Sequence, residues 1–166
     1  IYAIPFLPKK VFMDAGNLRA ISGLKIYVIA FVWMAVTVIV PLLNEGYTLN
    51  NDVLIEAIQR YLYVIIAMLP FEIRDMRYDS IKLSTIPQRI GVARTKIIGV
   101  LLIVFMFLLE FFKDEFYINK TIILGIVSVL LLLFVVFSKV NQKNYYSGFW
   151  VEGIPILWAL LTTANY

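Results

Sequence analysis

Residues 121–138, TIILGIVSVLLLLFVVFS, form a run without a single charged side chain, and this run decides the fold class. At about 1.5 Å per residue, a helix of this length crosses most of the ~30 Å hydrocarbon core of a bilayer. Backbone polar groups find no water in that core, so a segment placed there has to be helical. The run therefore predicts a membrane-spanning α-helix.

Four further apolar runs of similar length accompany it. The whole chain has the same character, since 61% of its residues are hydrophobic and only 16% are charged, whereas about a quarter are charged in a soluble domain. The runs lack the strict alternation of barrel strands. We predict an all-α, polytopic transmembrane helical bundle that forms one transmembrane domain over residues 1–166, with five spans at 26–43, 53–71, 97–112, 121–138 and 149–165.

The basic residues are distributed unevenly between the connections. When the connections are assigned alternately to the two sides, twelve of the fifteen lysines and arginines fall on the side of the N-terminus. The positive-inside rule places that side in the cytoplasm. The sequence thus predicts a protein of the cytoplasmic membrane, with its N-terminus inside and its C-terminus outside. Topology also accounts for the net charge of +4, so no nucleic acid is expected as a partner.

The sequence contains no cysteine and no histidine. Disulfides, thiol nucleophiles, Cys/His zinc sites and imidazole acid–base chemistry are therefore excluded for this chain. Any metal site would use oxygen ligands, which suit Mg²⁺ or a similar hard cation.

The longest polar connection follows the second span and carries two aspartates, Asp75 and Asp79, spaced four residues apart. If the helix continues past Pro70, both carboxylates lie on one face. Such a pair could hold Mg²⁺ that is also bound by substrate phosphates. Three nearby basic residues could neutralise the remaining phosphate charge: Arg74, Arg77 and Lys82. A solvated helix face with i,i+4 ion pairs explains the same spacing, so the pattern alone leaves both interpretations open.

A longer pattern surrounds these aspartates, and it resembles the second aspartate-rich motif of the UbiA superfamily of intramembrane prenyltransferases. In that family the motif reads D-x-x-x-D, then a basic residue, Thr-Leu-Pro and a glycine, and it lies between the sixth and seventh of nine helices. The corresponding residues here are Arg74-Asp75-x-x-x-Asp79-x-x-Lys82-x-x-Thr85-Ile86-Pro87-x-x-x-Gly91.

The resemblance implies a fold, a reaction and a set of roles. The chain would be about half of a nine-helix bundle, and its complete protein would transfer an isoprenyl group from a prenyl diphosphate to a lipophilic, often aromatic, acceptor. Asp75 and Asp79 would be the catalytic residues that bind Mg²⁺. Lys82, Arg74 and Arg77 would bind the diphosphate. Membrane lipid would surround the bundle.

The family's other motif, N-D-x-x-D-x-x-x-D, is absent from these residues, and in the family it lies upstream of the part that this chain resembles. We therefore expect this chain to be the C-terminal part of a longer protein and to be inactive by itself. Two alternatives stay open. One is a transporter or channel fragment, and the other is a non-catalytic membrane protein for assembly or lipid binding.

Two further patterns within the spans favour packing over chemistry, although charged residues inside a span can also mark a functional site. Asp52, Glu56 and Arg60 share one face of the second span, and the i,i+4 spacing predicts a local ion pair between Glu56 and Arg60. Glycines inside the spans are expected where helices approach closely: Gly99, Gly125 and Gly153.

Overall fold

The computed structural model describes residues 24–46, 50–76, 85–142, 146 and 151–163, and all regular structure within these residues is helical. The prediction of an all-α protein is confirmed for this part of the chain. The described part contains six helices, which we number in chain order: α1 (Leu24–Asn44), α2 (Asn51–Asp75), α3 (Ile86–Ile90), α4 (Val92–Leu108), α5 (Ile118–Phe137) and α6 (Glu152–Thr163).

Four of these helices are long and apolar enough to cross a membrane, namely α1, α2, α5 and α4 with its 3₁₀ extension Leu109–Phe112. They coincide with the first four predicted spans. The fifth predicted span, 149–165, contains α6, whose 12 residues are fewer than a crossing needs. Residues 149–150 and 164–165 lie outside the described part, so the count of five spans stays a prediction.

Helix α2 is the central element of the bundle. It packs against α1, α4 and α5, while α6 packs on α5 and the short α3 contacts both α2 and α4. The shared core consists of aliphatic side chains together with one tyrosine and one tryptophan. Its buried members include Ile66, Met106, Val127, Leu131, Val135, Tyr63 and Trp158.

The outward surface of the bundle is also apolar. Large hydrophobic side chains are exposed along α1, α4 and α5, among them Phe31, Trp33, Leu101 and Val129. Water would not cover such an extensive apolar surface favourably, whereas lipid chains do. Together with the four long apolar helices, this surface indicates a membrane protein.

Helix α1 widens in its second half. Residues Ala35–Ile39 form a π-helical segment in which the N–H of Val40 donates to the carbonyl of Ala35. Pro41, which follows Val40, explains this π-helical segment, because proline has no N–H to donate to a carbonyl of the preceding turn. The hydroxyl of Thr37 donates to the carbonyl of Trp33 at 2.7 Å. The helix therefore continues to Asn44 with its backbone groups largely satisfied.

The three glycines that were predicted at helix contacts differ in how closely other side chains approach them. A Cβ on Gly99 would lie 2.9 Å from side-chain atoms of both Leu69 and Val135, so the prediction of close helix approach is confirmed there. A Cβ on Gly125 would meet Phe107 at an ordinary 3.6 Å. At Gly153 no described atom lies within 4 Å of that position, and the prediction is wrong.

The bundle of antiparallel helices has two ends, and we name each end after one of its residues. The Asp75 end contains the start of α1, the end of α2, α3, the start of α4 and the end of α5. The Lys113 end contains the end of α1, the start of α2 and the turn between α4 and α5. Packing against α2 places α1 and α3 in these groupings. Hydrogen bonds join α2 to the turn after α5 at the Asp75 end and to the α4–α5 turn at the Lys113 end.

Candidate functional site

The C-terminal part of α2 continues through Pro70 and ends at Asp75. The turn after α5 supports this end, because the side-chain amide of Gln142 donates to the carbonyl of Pro70 at 3.0 Å. The same Gln142 side chain accepts from the N–H of Lys139 at 2.9 Å, which closes that turn. The helical continuity required by the site prediction is thus confirmed as far as Asp75.

Asp75 is held by its neighbour in the chain. The Nε of Arg74 lies 2.7 Å from Oδ1 of Asp75, and the Arg74 guanidinium lies 5.4 Å from the centre of the Phe71 ring. The Asp75 side chain is one-third exposed at 33%. The carboxylate is therefore oriented by a charge-assisted hydrogen bond and still has an accessible surface on which a ligand could bind.

The residues Thr85, Pro87 and Gly91 delimit the short helix α3. Thr85 precedes the helix in an extended conformation, and its N–H donates to the side chain of Gln88 at 3.0 Å. Pro87 stands in the first turn, where a helix does not need its N–H. Gly91 has φ 83° and ψ 156°, a conformation nearly restricted to glycine. The spacing Thr-x-Pro-x-x-x-Gly therefore encodes a helix of fixed length beside the end of α2.

The chain leaves this helix abruptly and enters α4. The N–H of Gly91 donates to the carbonyl of Pro87 at 2.9 Å, and the Gly91 carbonyl accepts from the hydroxyl of Thr95 at 2.9 Å. Thr95 is fully buried, so this contact fixes α3 on the start of α4. The motif residues on either side of positions 77–84 are thereby brought to one end of the bundle.

Basic residues dominate the Asp75 end. One of them also joins two helices, since the ammonium of Lys96 donates to the carbonyl of Val136 at 2.7 Å. A concentration of positive charge favours an anionic ligand. The basic residues that the structure describes at this end are Lys25, Arg74, Arg89, Arg94, Lys96 and Lys139.

Only part of the predicted site is described. Arg74 and Asp75 are brought together, whereas Arg77, Asp79 and Lys82 belong to residues 77–84, outside the described part. Among the described residues, no group of three or more carboxylates is arranged to hold a metal. Since Mg²⁺ typically takes one or two protein carboxylates and completes its shell with phosphate oxygens and water, the partly exposed Asp75 fits the role of one such ligand.

A second polar cluster, at the Lys113 end, was not predicted. The ammonium of Lys113 lies 2.7 Å from Glu110 and 2.9 Å from Glu56, and the amide of Gln59 donates to Glu110 at 3.0 Å. Burial by itself lowers the pKa of Lys113, but the charges and hydrogen bonds of the two glutamates outweigh it. The net pKa of Lys113 therefore lies above its ordinary value.

The predicted pair between Glu56 and Arg60 is confirmed at 3.5 Å, yet Lys113 is the closer partner of Glu56. Asp52 likewise faces the α4–α5 turn, where its carboxylate accepts from the N–H groups of Asp114 and Glu115 at 2.7 and 3.2 Å. The polar stripe on α2 was visible in the sequence. Its partners lie about sixty residues away, so spacing alone could not identify them.

A scan against protein-family models and searches of curated proteins and of solved structures found no match to this chain. The functional assignment therefore rests on the motif residues and on the geometry of the Asp75 end.

Proposed function

We propose that this chain is part of a UbiA-like prenyltransferase that moves an isoprenyl group from a prenyl diphosphate to a lipophilic, often aromatic, acceptor. The observation that supports it is the position of Asp75. It ends α2 on the basic side of an apolar helical bundle, beside a short helix delimited by the threonine, proline and glycine that follow the aspartates in the family motif.

In this proposal, Asp75 and Asp79 would hold Mg²⁺, while Arg74, Arg77 and Lys82 would pair with the negative charge of the diphosphate. When bound, Mg²⁺ neutralises charge on the diphosphate and so makes it a better leaving group. The allylic C–O bond breaks and the diphosphate leaves with the electron pair. The acceptor then forms a bond to the allylic carbon and passes a proton to the released diphosphate. Arg74 contributes before the reaction, because its bond to Asp75 fixes the carboxylate.

The reaction needs an environment that excludes water, because water would capture the allylic cation. The apolar residues of α2 before Asp75 supply such surroundings on their side, since Ile66, Leu69 and Ile73 are almost fully buried. The remaining walls would come from helices of the complete protein. This proposal includes residues 149–165 as a fifth span and the upstream helices of a nine-helix bundle.

The orientation in the membrane belongs to the same proposal. The basic Asp75 end would face the cytoplasm, where water solvates the diphosphate group of the substrate, and the acidic Lys113 end would face outward. The membrane would be the cytoplasmic membrane of the cell.

The substitution Asp75→Asn in the complete natural protein tests the function. The change keeps the size of the side chain but removes the charge that binds the metal. We expect Mg²⁺-dependent release of diphosphate from a prenyl diphosphate to fall at least a hundredfold, as when one preorganised charge contact to the reacting group is lost. The measurement is diphosphate release by the protein in lipid nanodiscs.

The matched control is Asp114→Asn, which removes an exposed carboxylate at the Lys113 end. It should leave turnover unchanged. Both variants should insert into membranes in wild-type amounts. Wild-type turnover by the Asp75 variant would refute the assignment of this residue, and the absence of prenyl transfer by the complete wild-type protein would refute the function.

A transporter or channel fragment is the second candidate. It is favoured by Gln59 and Glu110, which are polar, almost fully buried and hydrogen-bonded between α2 and α4. For this candidate, solute flux into liposomes should decrease in Gln59→Leu and be insensitive to Asp75→Asn. The opposite pattern favours the transferase.

A further inference from the structure

Two hydrogen-bond donors near the middle of α2 are buried without a partner among the described residues. They are the Nε–H of Arg60 and the hydroxyl of Tyr63, and the whole Tyr63 residue is only 4% exposed. A buried donor left without an acceptor costs roughly 1–3 kcal/mol. Two such donors one helical turn apart therefore favour an acceptor that the described residues do not themselves supply.

Both donors belong to side chains that contact one ring on α6. The Arg60 guanidinium carbon lies 4.0 Å from the centre of the Trp158 ring, and the Tyr63 ring lies 5.1 Å from it at an interplanar angle of 69°. Arg60 and Tyr63 are three residues apart, so they project from the same side of α2. The two donors and the indole therefore border one region between α2 and α6.

The charges around this region between α2 and α6 favour a neutral ligand. Arg60 pairs with Glu56, and Lys113 lies between Glu56 and Glu110. These two bases and two acids already balance. An anionic ligand would add an uncompensated charge to the interior of the bundle, which is costly, whereas a neutral oxygen acceptor satisfies the donors without adding charge.

The remaining surroundings are apolar. Tyr63 and Trp158 belong to the main hydrophobic core, in company with Val127, Leu131 and Ile154. We propose that α2 and α6 bind the carbonyl oxygen of a neutral, lipophilic compound at this position, with Arg60 Nε–H and Tyr63 O–H as its two donors. This site is distinct from the Asp75 end, since fifteen residues of helix separate Arg60 from Asp75 by about 22 Å, and it does not depend on the proposed transferase function.

Benzophenone is a suitable probe, because it is neutral and lipophilic and carries one carbonyl that reacts on illumination. The excited carbonyl abstracts hydrogen from a nearby C–H bond, and the two carbon radicals combine, so that the C–H adds across the C=O. The complete protein in nanodiscs of ether-linked lipid would be illuminated with benzophenone and digested. We expect the mass-spectrometric adducts to concentrate on residues 59–66 of α2 and 154–161 of α6.

The requirement for a carbonyl is tested by competition with two compounds of the same ring system. Fluorenone has the carbonyl, and fluorene has a CH₂ group in its place. Fluorenone should reduce the adducts at these residues, and fluorene should not. Equal competition by both compounds would show apolar partitioning only and would overturn the proposal.

The donors are tested by Tyr63→Phe, which removes the hydroxyl and keeps most of the packing, and by Arg60→Lys, which removes the Nε–H and keeps the charge. We expect each to lower the apparent affinity for fluorenone about fivefold, the effect of one net hydrogen bond. The control is Tyr61→Phe, a partly buried tyrosine on the same helix that should change nothing. Unfolding temperatures establish that the variants fold, and unchanged affinity in both folded donor variants would contradict the proposal.

The source of the natural carbonyl is distinguished by the lipid. If an ester carbonyl of phospholipid occupies the site, nanodiscs of ester-linked lipid should give fewer benzophenone adducts there than nanodiscs of ether-linked lipid. Equal adduct yields in the two lipids would assign the site to a free lipophilic carbonyl compound.

Discussion

The two ends of the bundle use charge in opposite ways. At the Lys113 end, the described acidic residues outnumber the basic ones, and three of them, Asp52, Glu56 and Glu110, contact Lys113, Arg60 or the backbone of the α4–α5 turn. At the Asp75 end, the described basic residues outnumber the acidic ones, and close packing and short turns hold the helices together. Ion pairs therefore stabilise one end, while the other keeps an excess of positive charge that suits an anionic ligand.

The largest expected effect tests the ion pairs at the Lys113 end. Lys113→Met keeps an unbranched side chain but leaves Glu56 and Glu110 without their cation. Because the Glu110 side chain is only 4% exposed, we expect the free energy of unfolding to fall by roughly 3 kcal/mol. Unfolding in mixed micelles of increasing SDS content measures this.

The matched substitution at the other end is Arg94→Met. Arg94 is exposed at the start of α4, so its replacement should change the unfolding free energy by less than about 0.5 kcal/mol. Equal losses of unfolding free energy in the two variants would contradict the conclusion that ion pairs stabilise only the Lys113 end.

The next prediction concerns packing close to the Asp75 end. Gly99→Ala places a methyl group 2.9 Å from both Leu69 and Val135, which join α4 to α2 and α5. We expect a loss of about 2 kcal/mol, typical of overpacking. Gly125→Ala is the control, because its methyl group meets only Phe107 at 3.6 Å. That change should be neutral or stabilise the helix, and similar losses at both positions would contradict the packing difference.

A smaller effect is expected at the junction of α3 and α4. Gly91→Ala forces a side chain into a backbone conformation of φ 83° and ψ 156°, which costs about 1–2 kcal/mol in a residue other than glycine. Gly153→Ala is the comparison, since it lies within α6 with open space around it. Thermal unfolding should show a lower transition temperature for the first variant and no decrease for the second.

The sequence predicted the helical class, four helix positions and the continuation of α2, because apolar length and charge punctuation are local properties. It also predicted the pair Glu56–Arg60, which depends on spacing within one helix. It missed Lys113 as the closer partner of Glu56 and Trp158 as the partner of Arg60, since these contacts depend on how distant helices pack. The predicted helix contact at Gly153 was wrong because the composition of α6 does not show which of its faces another helix covers.

Alkaline titration gives the smallest effect and tests Lys113 through its protonation. The pKa of Lys113 is raised from the ordinary value of 10.5, so its contribution to stability is complete below about pH 10.5 and is lost as the pH rises through the higher value of the folded state. The difference in unfolding free energy between the wild type and Lys113→Met should thus stay constant from pH 7 to about 10 and shrink above that. Tyrosine ionisation affects both proteins and cancels in the difference. A difference that already shrinks between pH 8 and 9 would mean that burial outweighs the two glutamates, and the Lys113 end would then be held by packing in the same way as the Asp75 end.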